Sequence, residues 1–320
     1  MPGFGDFFTA FAKRLPTIRT DKCVQHTPDL QNNVFPKHDL LHWSARGYSQ
    51  YGADGVIHKL FHDLGTTNKY YIEFGTQKDA VECNTRRLRE TCGWKGLLMD
   101  GDNENEEINL HAHFLTRENI LLLFKRYRVP QFPDLLSVDI DGNDYHVLST
   151  ILRGGYRPRV VIVEYNAQLG VELDRIKNYE PTSTWKMDCY LSASITSYFT
   201  LAKHYNYSVV ASMLPDLYWV RNDVLAKAAQ RASISKAAGG ATESHRRGKH
   251  LYAHTNNKTA LYHSALSDVY MNLVIGPNRD PKVMANCLAA GRGWVTSAQA
   301  EKGIDLMRAS VKEAAAALDV

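Results

Sequence analysis

The sequence predicts an α/β protein built on a Rossmann-like, seven-stranded, doubly wound sheet. Two observations predict this fold: short apolar runs alternate with amphipathic stretches between residues 46 and 225, and acidic residues directly follow several of the apolar runs. Such alternation is typical of a mostly parallel sheet with helices on both faces. The chain has 320 residues, of which 44% are hydrophobic and 22% charged. This composition excludes wholesale disorder, collagen and coiled coil.

Seven apolar runs are predicted strands, and the amphipathic stretches between most of them are predicted helices. The predicted strands are Tyr70–Phe74, Gly96–Asp100, Ala112–Leu115, Leu135–Ile140, Val160–Tyr165, Tyr207–Ala211 and Leu217–Arg221. The predicted helices lie near 53–64, 80–91, 117–127, 143–153 and 192–205. The last two strands follow each other without a clear helix between them.

Two extensions flank this predicted domain of residues 46–225. Residues 1–45 begin with phenylalanines at helical spacing, which predicts an amphipathic helix. This helix either packs on the domain or on a second copy of the chain, or serves as a membrane-surface or mitochondrial targeting helix. Residues 226–249 are rich in Ala, Ser, Gly and basic side chains, which predicts a loop or linker. The rest of the extension 226–320 is predicted helical, and we expect it to form a lid over the cleft or a homo-oligomer contact.

The net charge and the cysteines restrict the classes of binding partner and the cellular compartment that we expect. The formal net charge is only +4, and no aromatic residues interleave with the basic cluster at 245–249, which argues against nucleic-acid binding. No apolar stretch approaches the roughly 20 residues needed for a transmembrane segment. The five cysteines are scattered and never form a C-x-x-C pair, which indicates free thiols rather than disulfides or a zinc site. We therefore expect a cytoplasmic protein, with mitochondrial targeting as the alternative.

The first predicted strand ends in an acid and a glycine, Glu73 and Gly75, just before a helix. In a doubly wound sheet, ligands bind outside the carboxyl ends of the strands, where glycine lets the backbone approach closely. A carboxylate here would repel a pyrophosphate, and the G-x-G-x-x-G fingerprint is missing. A ligand with a cationic amino group, such as S-adenosylmethionine, fits better. The second strand ends in Asp100, where a carboxylate accepts hydrogen bonds from a ribose diol.

Acids also gather at the ends of the fourth and fifth strands. Asp139, Asp141 and Asp144 lie within six residues at the end of the fourth strand and the start of the next helix, and Glu164 and Asn166 lie at the end of the fifth strand. Helix capping explains Asp144, but not Asp139, which shares a strand face with Asp141. A convergent set of this kind supports either a carboxylate general base or an oxygen-rich Mg²⁺ or Mn²⁺ site of Asp139, Asp141 and Glu164. The sequence leaves both open, with a slight preference for the base.

A series of short motifs runs in order through residues 49–225. The motifs are Ser49–Ile57 (SQYGADGVI), Tyr71–Gly75 (YIEFG), Asn84–Leu88 (NTRRL), Gly93–Gly101 (GWKGLLMDG), Thr116–Ile120 (TRENI), Leu136–Tyr145 (LSVDIDGNDY), Pro158–Asn166 (PRVVIVEYN) and a closing segment from Ser192 to Arg221. Together they resemble the motifs of the FkbM-type methyltransferases, a family of class I S-adenosylmethionine-dependent enzymes. The closing segment departs from the family pattern, because Leu191 and Ser192 replace the expected Phe-Gly.

The resemblance implies a sheet whose last strand runs antiparallel, with the cofactor over strands one to four and the acceptor over strands four and five. By position, Glu73 and Gly75 would flank the methionine end of the cofactor, Asp100 the ribose, and Thr116 to Glu118 the adenine. The matching motifs also place four further residues in the cofactor site: Thr76, Asn84, Gly101 and Asp139.

We therefore expect a methyltransferase that moves a methyl group from S-adenosylmethionine to an oxygen, less often a nitrogen, of a small-molecule or glycan acceptor. Asp139 or Asp141 is the expected base, while Glu164 and Asn166 orient the acceptor or a metal ion. Two alternatives remain: a metal-dependent enzyme that uses Asp139, Asp141 and Glu164 without methyl transfer, and an inactive cofactor-binding protein on the same fold.

Overall fold

A computed structural model describes residues 15–23, 40–186, 188–213, 215–237, 288, 293–302 and 305. The expected phenylalanine helix at 4–11 and the predicted helices after residue 249 fall mainly on residues outside this description. Among the described helices, none is both long and apolar enough to cross a membrane.

Strands and helices alternate through most of the described chain. The strands are β1 (Tyr70–Phe74), β2 (Lys95–Asp100), β3 (Leu110–Ala112), β4 (Leu135–Val138), β5 (Val160–Glu164), β6 (Tyr207–Met213) and β7 (Asp216–Arg221). The helices are α1 (Ala53–Leu64), α2 (Arg86–Thr91), α3 (Ile120–Arg126), α4 (Asp144–Arg153), α5 (Ile195–His204) and α6 (Asn222–Ala237). Short 3-10 turns lie at Leu40–Trp43, Lys78–Ala80, Glu106–Ile108 and Ala167–Leu169.

The seven strands form one sheet in the order β3-β2-β1-β4-β5-β7-β6. The strands β1 to β5 pair in parallel, whereas β7 runs antiparallel to both β5 and β6. The predicted fold class is therefore confirmed, including the antiparallel last strand. The strand order reverses direction between β1 and β4, and this switch point leaves a crevice at the carboxyl ends of the strands.

The core lies on both faces of this sheet. All residues of β4 and β5 are buried, as expected for parallel strands covered on two sides. The helices pack in two groups, α1 with α6 and α3 with α4, while α5 packs on β6. This arrangement leaves the carboxyl ends of β1, β2, β4 and β5 as the place where polar side chains can gather.

Several predicted boundaries are wrong for local backbone reasons. The strand β3 covers 110–112 rather than 112–115, and β4 ends at Val138 because Asp141 takes a left-handed conformation with φ 57°. The helix expected from residue 80 begins only at Arg86, since Asp79 and Ala80 both have positive φ. Residues 226–237, expected as a loop, belong to helix α6, which packs on α1 and β7. Their alanine content favours a helix.

The N-terminal segment, residues 15–23, lies across helix α2. The guanidinium of Arg87 donates hydrogen bonds to the carbonyl oxygens of Arg19 at 2.9 Å and Lys22 at 3.1 Å. The Thr91 hydroxyl donates to the carbonyl oxygen of Thr20 at 2.6 Å. Because these hydrogen bonds join three of its carbonyl oxygens to α2, the N-terminal segment belongs to the folded domain.

A disulfide joins the N-terminal segment to α2. Cys23 and Cys92 are bonded, with Cα atoms 4.9 Å apart, and Cys189 is disulfide-bonded as well. The expectation of free thiols is therefore wrong for these residues, although Cys83 is a buried free thiol. Cys287 lies outside the described residues. The spacing does not reveal the first pair, because its members are 69 residues apart and meet only once the N-terminal segment has crossed α2.

Residues 293–302 of the C-terminal extension pack beside α4. Val295 and Ile176 exchange backbone hydrogen bonds at 2.8 and 2.9 Å. The Glu301 carboxylate accepts a hydrogen bond from the Ser149 hydroxyl at 2.6 Å and forms an ion pair with Arg153. This part of the extension therefore braces α4 and the loop that contains Ile176.

Candidate functional site

A cavity of about 520 Å³ opens at the carboxyl ends of β1, β2, β4 and β5. This volume lies within the range of small-molecule sites. Most of the lining residues end or follow a strand. The others come from the loop between β5 and α5, residues 170–194, from the segment before α1 and from the start of β7. The described residues 293–302 are not among the lining residues; they contact the β5–α5 loop at Ile176 and Tyr190.

Two strand-end turns meet at the floor of the cavity. Gly75 follows β1 with φ 73°, and a Cβ atom added to it would lie 1.7 Å from the carbonyl oxygen of Asp139, which follows β4. Any side chain at Gly75 would therefore force these two turns apart. Because Gly75 has no side chain, the backbone turns after β1 and β4 can lie this close together. The same lack of a side chain would let a ligand approach the backbone at Gly75.

The carboxylate of Glu73 holds the start of helix α2. It accepts hydrogen bonds from the backbone N–H of Asn84 at 2.7 Å and of Thr85 at 2.9 Å, and from the Thr85 hydroxyl at 2.5 Å. Burial raises the pKa of Glu73, and these hydrogen bonds oppose the shift. Glu73 lines the cavity, but its main described partners belong to the protein.

Asp100 fixes the turn that follows β1 as well as its own. Its carboxylate accepts hydrogen bonds from the backbone N–H of Gln77 at 3.0 Å, and from the backbone N–H groups of Asp102 and Asn103 at 3.1 Å. Gly101 and Thr76 line the same part of the cavity. The buried Thr76 hydroxyl has no hydrogen-bond partner among the described residues, so a ligand at this turn would satisfy it.

Asn84 and Thr116, both expected in the cofactor site, differ in position. Asn84 lines the cavity and donates a hydrogen bond from its side chain to the Ser137 hydroxyl at 3.2 Å. Thr116 does not line it; its hydroxyl accepts from the backbone N–H of Asn119 at 3.2 Å, just before α3. Residues 113–115 line the cavity instead, because the chain turns away from the sheet three residues earlier than the motif suggests.

The predicted cluster of Asp139, Asp141 and Glu164 is brought together. One carboxylate oxygen from each residue lies within 4.8 Å of the others. Burial raises the pKa of both Asp139 and Glu164 well above the usual range, and the neighbouring carboxylates raise it further. Burial also raises the pKa of Asp141, while the positive charge of Lys177 opposes that shift. Burial and the surrounding carboxylates therefore disfavour the ionised form of Asp139 and Glu164.

Asp144 holds the turn that positions this cluster. Its carboxylate accepts hydrogen bonds from the backbone N–H of Ile140 at 2.7 Å and of Gly142 at 2.8 Å. Burial raises the pKa of Asp144 to about 6, and these two hydrogen bonds oppose the shift. The density of acids after β4 thus has two causes: Asp144 shapes the turn, and Asp139 and Asp141 face the cavity.

Asn166 lines the cavity, yet its side chain mainly holds the β5–α5 loop. The amide donates to the carbonyl oxygens of Cys189 at 2.9 Å and Leu191 at 3.2 Å. Its oxygen accepts from the backbone N–H of Gln168 at 3.1 Å. In this arrangement Asn166 shapes the wall of the cavity, and no described contact gives it a role in proton transfer.

The β5–α5 loop reaches across to the segment before α3. The Tyr179 hydroxyl donates a hydrogen bond to Glu118, and the Arg117 guanidinium lies 3.8 Å from the centre of the Tyr179 ring. On its other side, Tyr190 packs edge-on against Trp294 at 4.7 Å between ring centres. The loop is therefore held between the domain and residues 293–302.

Sequence reasoning missed several residues that line the cavity. Tyr51 comes from the segment before α1, Asp216 from β7, and Trp185 from the β5–α5 loop. Asp216 pairs directly with Glu164 in the sheet and so extends the acid cluster, but this register is visible only in the structure. The aromatic residues lie far from the strand-end motifs in sequence, and only the tertiary fold brings them to the cavity.

Comparison of the chain with protein-family models and with curated proteins finds no match. The motif resemblance described above therefore stands on the quoted residues alone. The geometry adds a confirmed fold, a cavity at its switch point, and a cluster of acids at the carboxyl ends of β4 and β5.

Proposed function

We propose that this protein is an S-adenosylmethionine-dependent methyltransferase that methylates an oxygen atom of a small-molecule or glycan acceptor. The observation that carries this proposal is the cavity at the switch point of a sheet with a final antiparallel strand, where the motif residues of β1, β2, β4 and β5 converge. The FkbM-like motifs are the reason for interpreting this site as a methyltransferase site. The fold alone would not support that interpretation, because one fold can have many functions.

The residues around the β1 turn fit the proposed cofactor. The unpartnered, buried Thr76 hydroxyl and the close backbone approach at Gly75 leave a polar recess there. Glu73 and Asp100 surround this recess with negative charge, which suits the amino group and the ribose of S-adenosylmethionine. When bound, this cofactor would supply an electrophilic methyl group on its sulfonium.

The protein's own contribution would be to position the acceptor and to take up its proton. Asp139 or Asp141 would act as the base, because each lies in the cavity next to Glu164. The raised pKa of Asp139 makes its carboxylate a better proton acceptor near neutral pH than an ordinary aspartate. Asn166 would keep the wall of the acceptor end in place.

A second candidate function is supported by the same cluster. Three carboxylate oxygens within 4.8 Å of one another are an oxygen-donor set that Mg²⁺ or Mn²⁺ could use. Such an ion could assist methyl transfer, or could serve a metal-dependent enzyme that does not use S-adenosylmethionine.

Calorimetric titration separates these candidates. The protein is titrated with S-adenosylmethionine and with its product, S-adenosylhomocysteine, each with and without Mg²⁺; Mn²⁺ alone is titrated into the protein and into the Asp141→Asn variant. We expect micromolar binding of both adenosyl compounds in either buffer. Absence of binding by both would reject the methyltransferase, and tight Mn²⁺ binding that Asp141→Asn removes would then favour the metal enzyme.

The disulfide changes the proposed location. The expectation of a cytoplasmic protein depended in part on free thiols, and a Cys23–Cys92 bond removes that part of the argument. Because disulfides persist mainly in oxidising compartments, we propose that the protein works in one. Mass spectrometry after alkylation of the non-reduced protein from its own cells would show Cys23 and Cys92 unmodified; alkylation of both would contradict this location.

A further inference from the structure

The cavity is strongly acidic although the whole chain is slightly basic. Neither lysine nor arginine is found among the described lining residues. The carboxyl side chains that line it belong to Glu73, Glu82, Asp100, Asp139, Asp141, Glu164 and Asp216. An acceptor with a carboxylate or phosphate group would meet repulsion with no compensating charge.

The acids divide between the two ends of the cavity. At the β1 and β2 end, Glu73 and Asp100 accept several hydrogen bonds from the protein itself. The carboxylates of Asp139, Asp141 and Glu164 form the other end, which we call the acceptor end. Lys177 lies behind this end, with its Nζ beside Gly142, and it does not line the cavity. Its charge acts on Asp141, but among the described lining residues neither Lys nor Arg faces the cluster.

Buried oxygen atoms at the acceptor end also lack hydrogen-bond donors within the described chain. One Glu164 carboxylate oxygen and the side-chain oxygen of Asn143 are both without a partner, and these residues are 8% and 3% exposed. The Asn143 amide donates to the Glu180 carbonyl oxygen at 2.9 Å, so only its oxygen is left for a ligand. Gln168 lines the same cavity with its oxygen also without a partner. All of these are acceptor atoms, and a bound molecule must bring the donors.

Two aromatic side chains also line the cavity. The Trp185 indole N–H donates to the Asp188 carbonyl oxygen at 2.6 Å, which holds the ring in place while it lines the cavity. Tyr51 lines the cavity close to Asp139 and Glu164; burial first, and then these charges, raise the pKa of its hydroxyl. Aromatic faces near carboxylates are favourable surroundings for an ammonium group.

We propose that the acceptor is a cationic amino alcohol, whose ammonium group binds among Asp141, Glu164 and Asn143 and whose hydroxyl oxygen receives the methyl group. This inference depends on the proposed methyl transfer. In the reaction, the bond between the sulfonium sulfur and the methyl carbon breaks as the bond between that carbon and the acceptor oxygen forms. The sulfonium becomes a neutral thioether, and the hydroxyl proton passes to the carboxylate of Asp139.

An ammonium group suits this cluster better than a divalent metal ion. Besides the three carboxylates, the cavity lining offers two amide oxygens without a described hydrogen-bond donor, those of Asn143 and Gln168. A metal ion would need every ligand deprotonated, whereas an ammonium group needs one ionised carboxylate and can donate its other hydrogens to the neutral oxygens of Asn143 and Gln168.

A charge-matched series of probes tests this proposal. Glucosamine, glucose and glucuronate share a hexose ring and differ in charge, and serinol, glycerol and glycerate repeat the comparison at smaller size. Binding to the protein saturated with S-adenosylhomocysteine is measured by saturation-transfer NMR. We expect the amine of at least one series to bind about ten-fold tighter than its neutral partner, because charge-assisted hydrogen bonds exceed neutral ones by that order. The acids should show no binding.

Variants show which carboxylates cause the preference for the amine probe over the neutral probe. Asp141→Asn and Glu164→Gln should each reduce this preference. Asp102→Asn changes an exposed acid outside the cavity and should leave the preference unchanged. Equal binding of amine and neutral probe, binding of an acid, or no amine binding in both series would overturn the proposal. The proposal would also be overturned if MgCl₂ abolished binding of the amine and permitted binding of glucuronate, since the cluster would then be a metal site. Loss of S-adenosylhomocysteine binding with an intact amine preference would instead reject the methyltransferase.

Discussion

Individual carboxylates around the cavity differ in whether the protein supplies their partners. Glu73, Asp100 and Asp144 each accept hydrogen bonds from backbone N–H groups of a neighbouring turn, and so they define the shape of the site. Asp139 and Glu164 face like charges instead. The same residue type therefore has two roles here: the first group fixes backbone turns around the site, and the second gathers carboxylates at the acceptor end.

Asp216 offers the clearest test of this electrostatic arrangement. It is buried, and burial followed by the charges of Glu73 and Asp144 raises its pKa to about 7. An acid whose pKa is higher in the folded state binds its proton more tightly there. The free energy of unfolding therefore falls as the pH rises from about 4 to about 7. An asparagine at this position does not titrate and avoids this loss.

We expect Asp216→Asn to melt at a higher temperature than the parent above pH 7, and at a similar temperature near pH 4. The measurement is the melting temperature of both proteins across this pH range, by differential scanning calorimetry. The exposed Asp102→Asn serves as the control, and its difference from the parent should not vary in this way. A difference for Asp216→Asn that stays constant with pH would show that Asp216 is not the buried titrating group.

At the scale of secondary structure, the turns after β1 and β4 form one unit. The approach of Gly75 to the Asp139 carbonyl oxygen means that the β1 and β2 end of the cavity and the end formed by Asp139, Asp141 and Glu164 share a common floor. Asp144 and Asp100 fix the two turns from behind. A change in one turn should therefore reach both binding regions.

Substitution of two glycines with similar φ angles can distinguish the effect of this contact from the effect of backbone strain alone. Gly75 has φ 73° and Gly93 has φ 69°, but a Cβ added at Gly93 would meet nothing within 4 Å. Alanine at either position should cost about 1 kcal/mol of stability for its left-handed conformation. We expect Gly75→Ala to cost more and to abolish S-adenosylhomocysteine binding, and Gly93→Ala to keep that binding. Urea denaturation and calorimetry measure the two effects; full binding by Gly75→Ala would contradict the shared floor.

The strands could be predicted from the sequence because their signal is local. The apolar run Tyr70–Phe74 coincides with β1 as found, and the acids at the ends of β4 and β5 meet because parallel neighbouring strands end at one edge. What could not be predicted depends on distant contacts. Thr85 as the partner of Glu73 and Trp185 in the cavity wall have no local pattern. The helix at 226–237 was missed because its Ala and Ser content is also common in linkers.

At the scale of the whole molecule, the N-terminal segment is part of the folded domain. It crosses α2, the helix that begins beside the residues held by Glu73, and the Cys23–Cys92 bond fastens it there. Arg87 and Thr91 add hydrogen bonds to its carbonyl oxygens. Scattered cysteines gave no indication of this bond, since pairing over 69 residues depends on the path of the chain and not on spacing.

Removing this disulfide should destabilise the whole fold. A bond that closes a loop of 69 residues restricts the unfolded chain, and its loss is expected to cost about 2–4 kcal/mol. We expect Cys23→Ala/Cys92→Ala to unfold at clearly lower urea concentration than the parent in non-reducing buffer. The hydrogen bonds of Arg87 remain in this variant, so S-adenosylhomocysteine binding should weaken only modestly at low temperature.

Cys83→Ala removes a buried free thiol and serves as the matched control, because it creates a small cavity without opening a loop. If the double variant is no less stable than Cys83→Ala, the bond does not constrain the chain, and the proposal of an oxidising compartment loses its support.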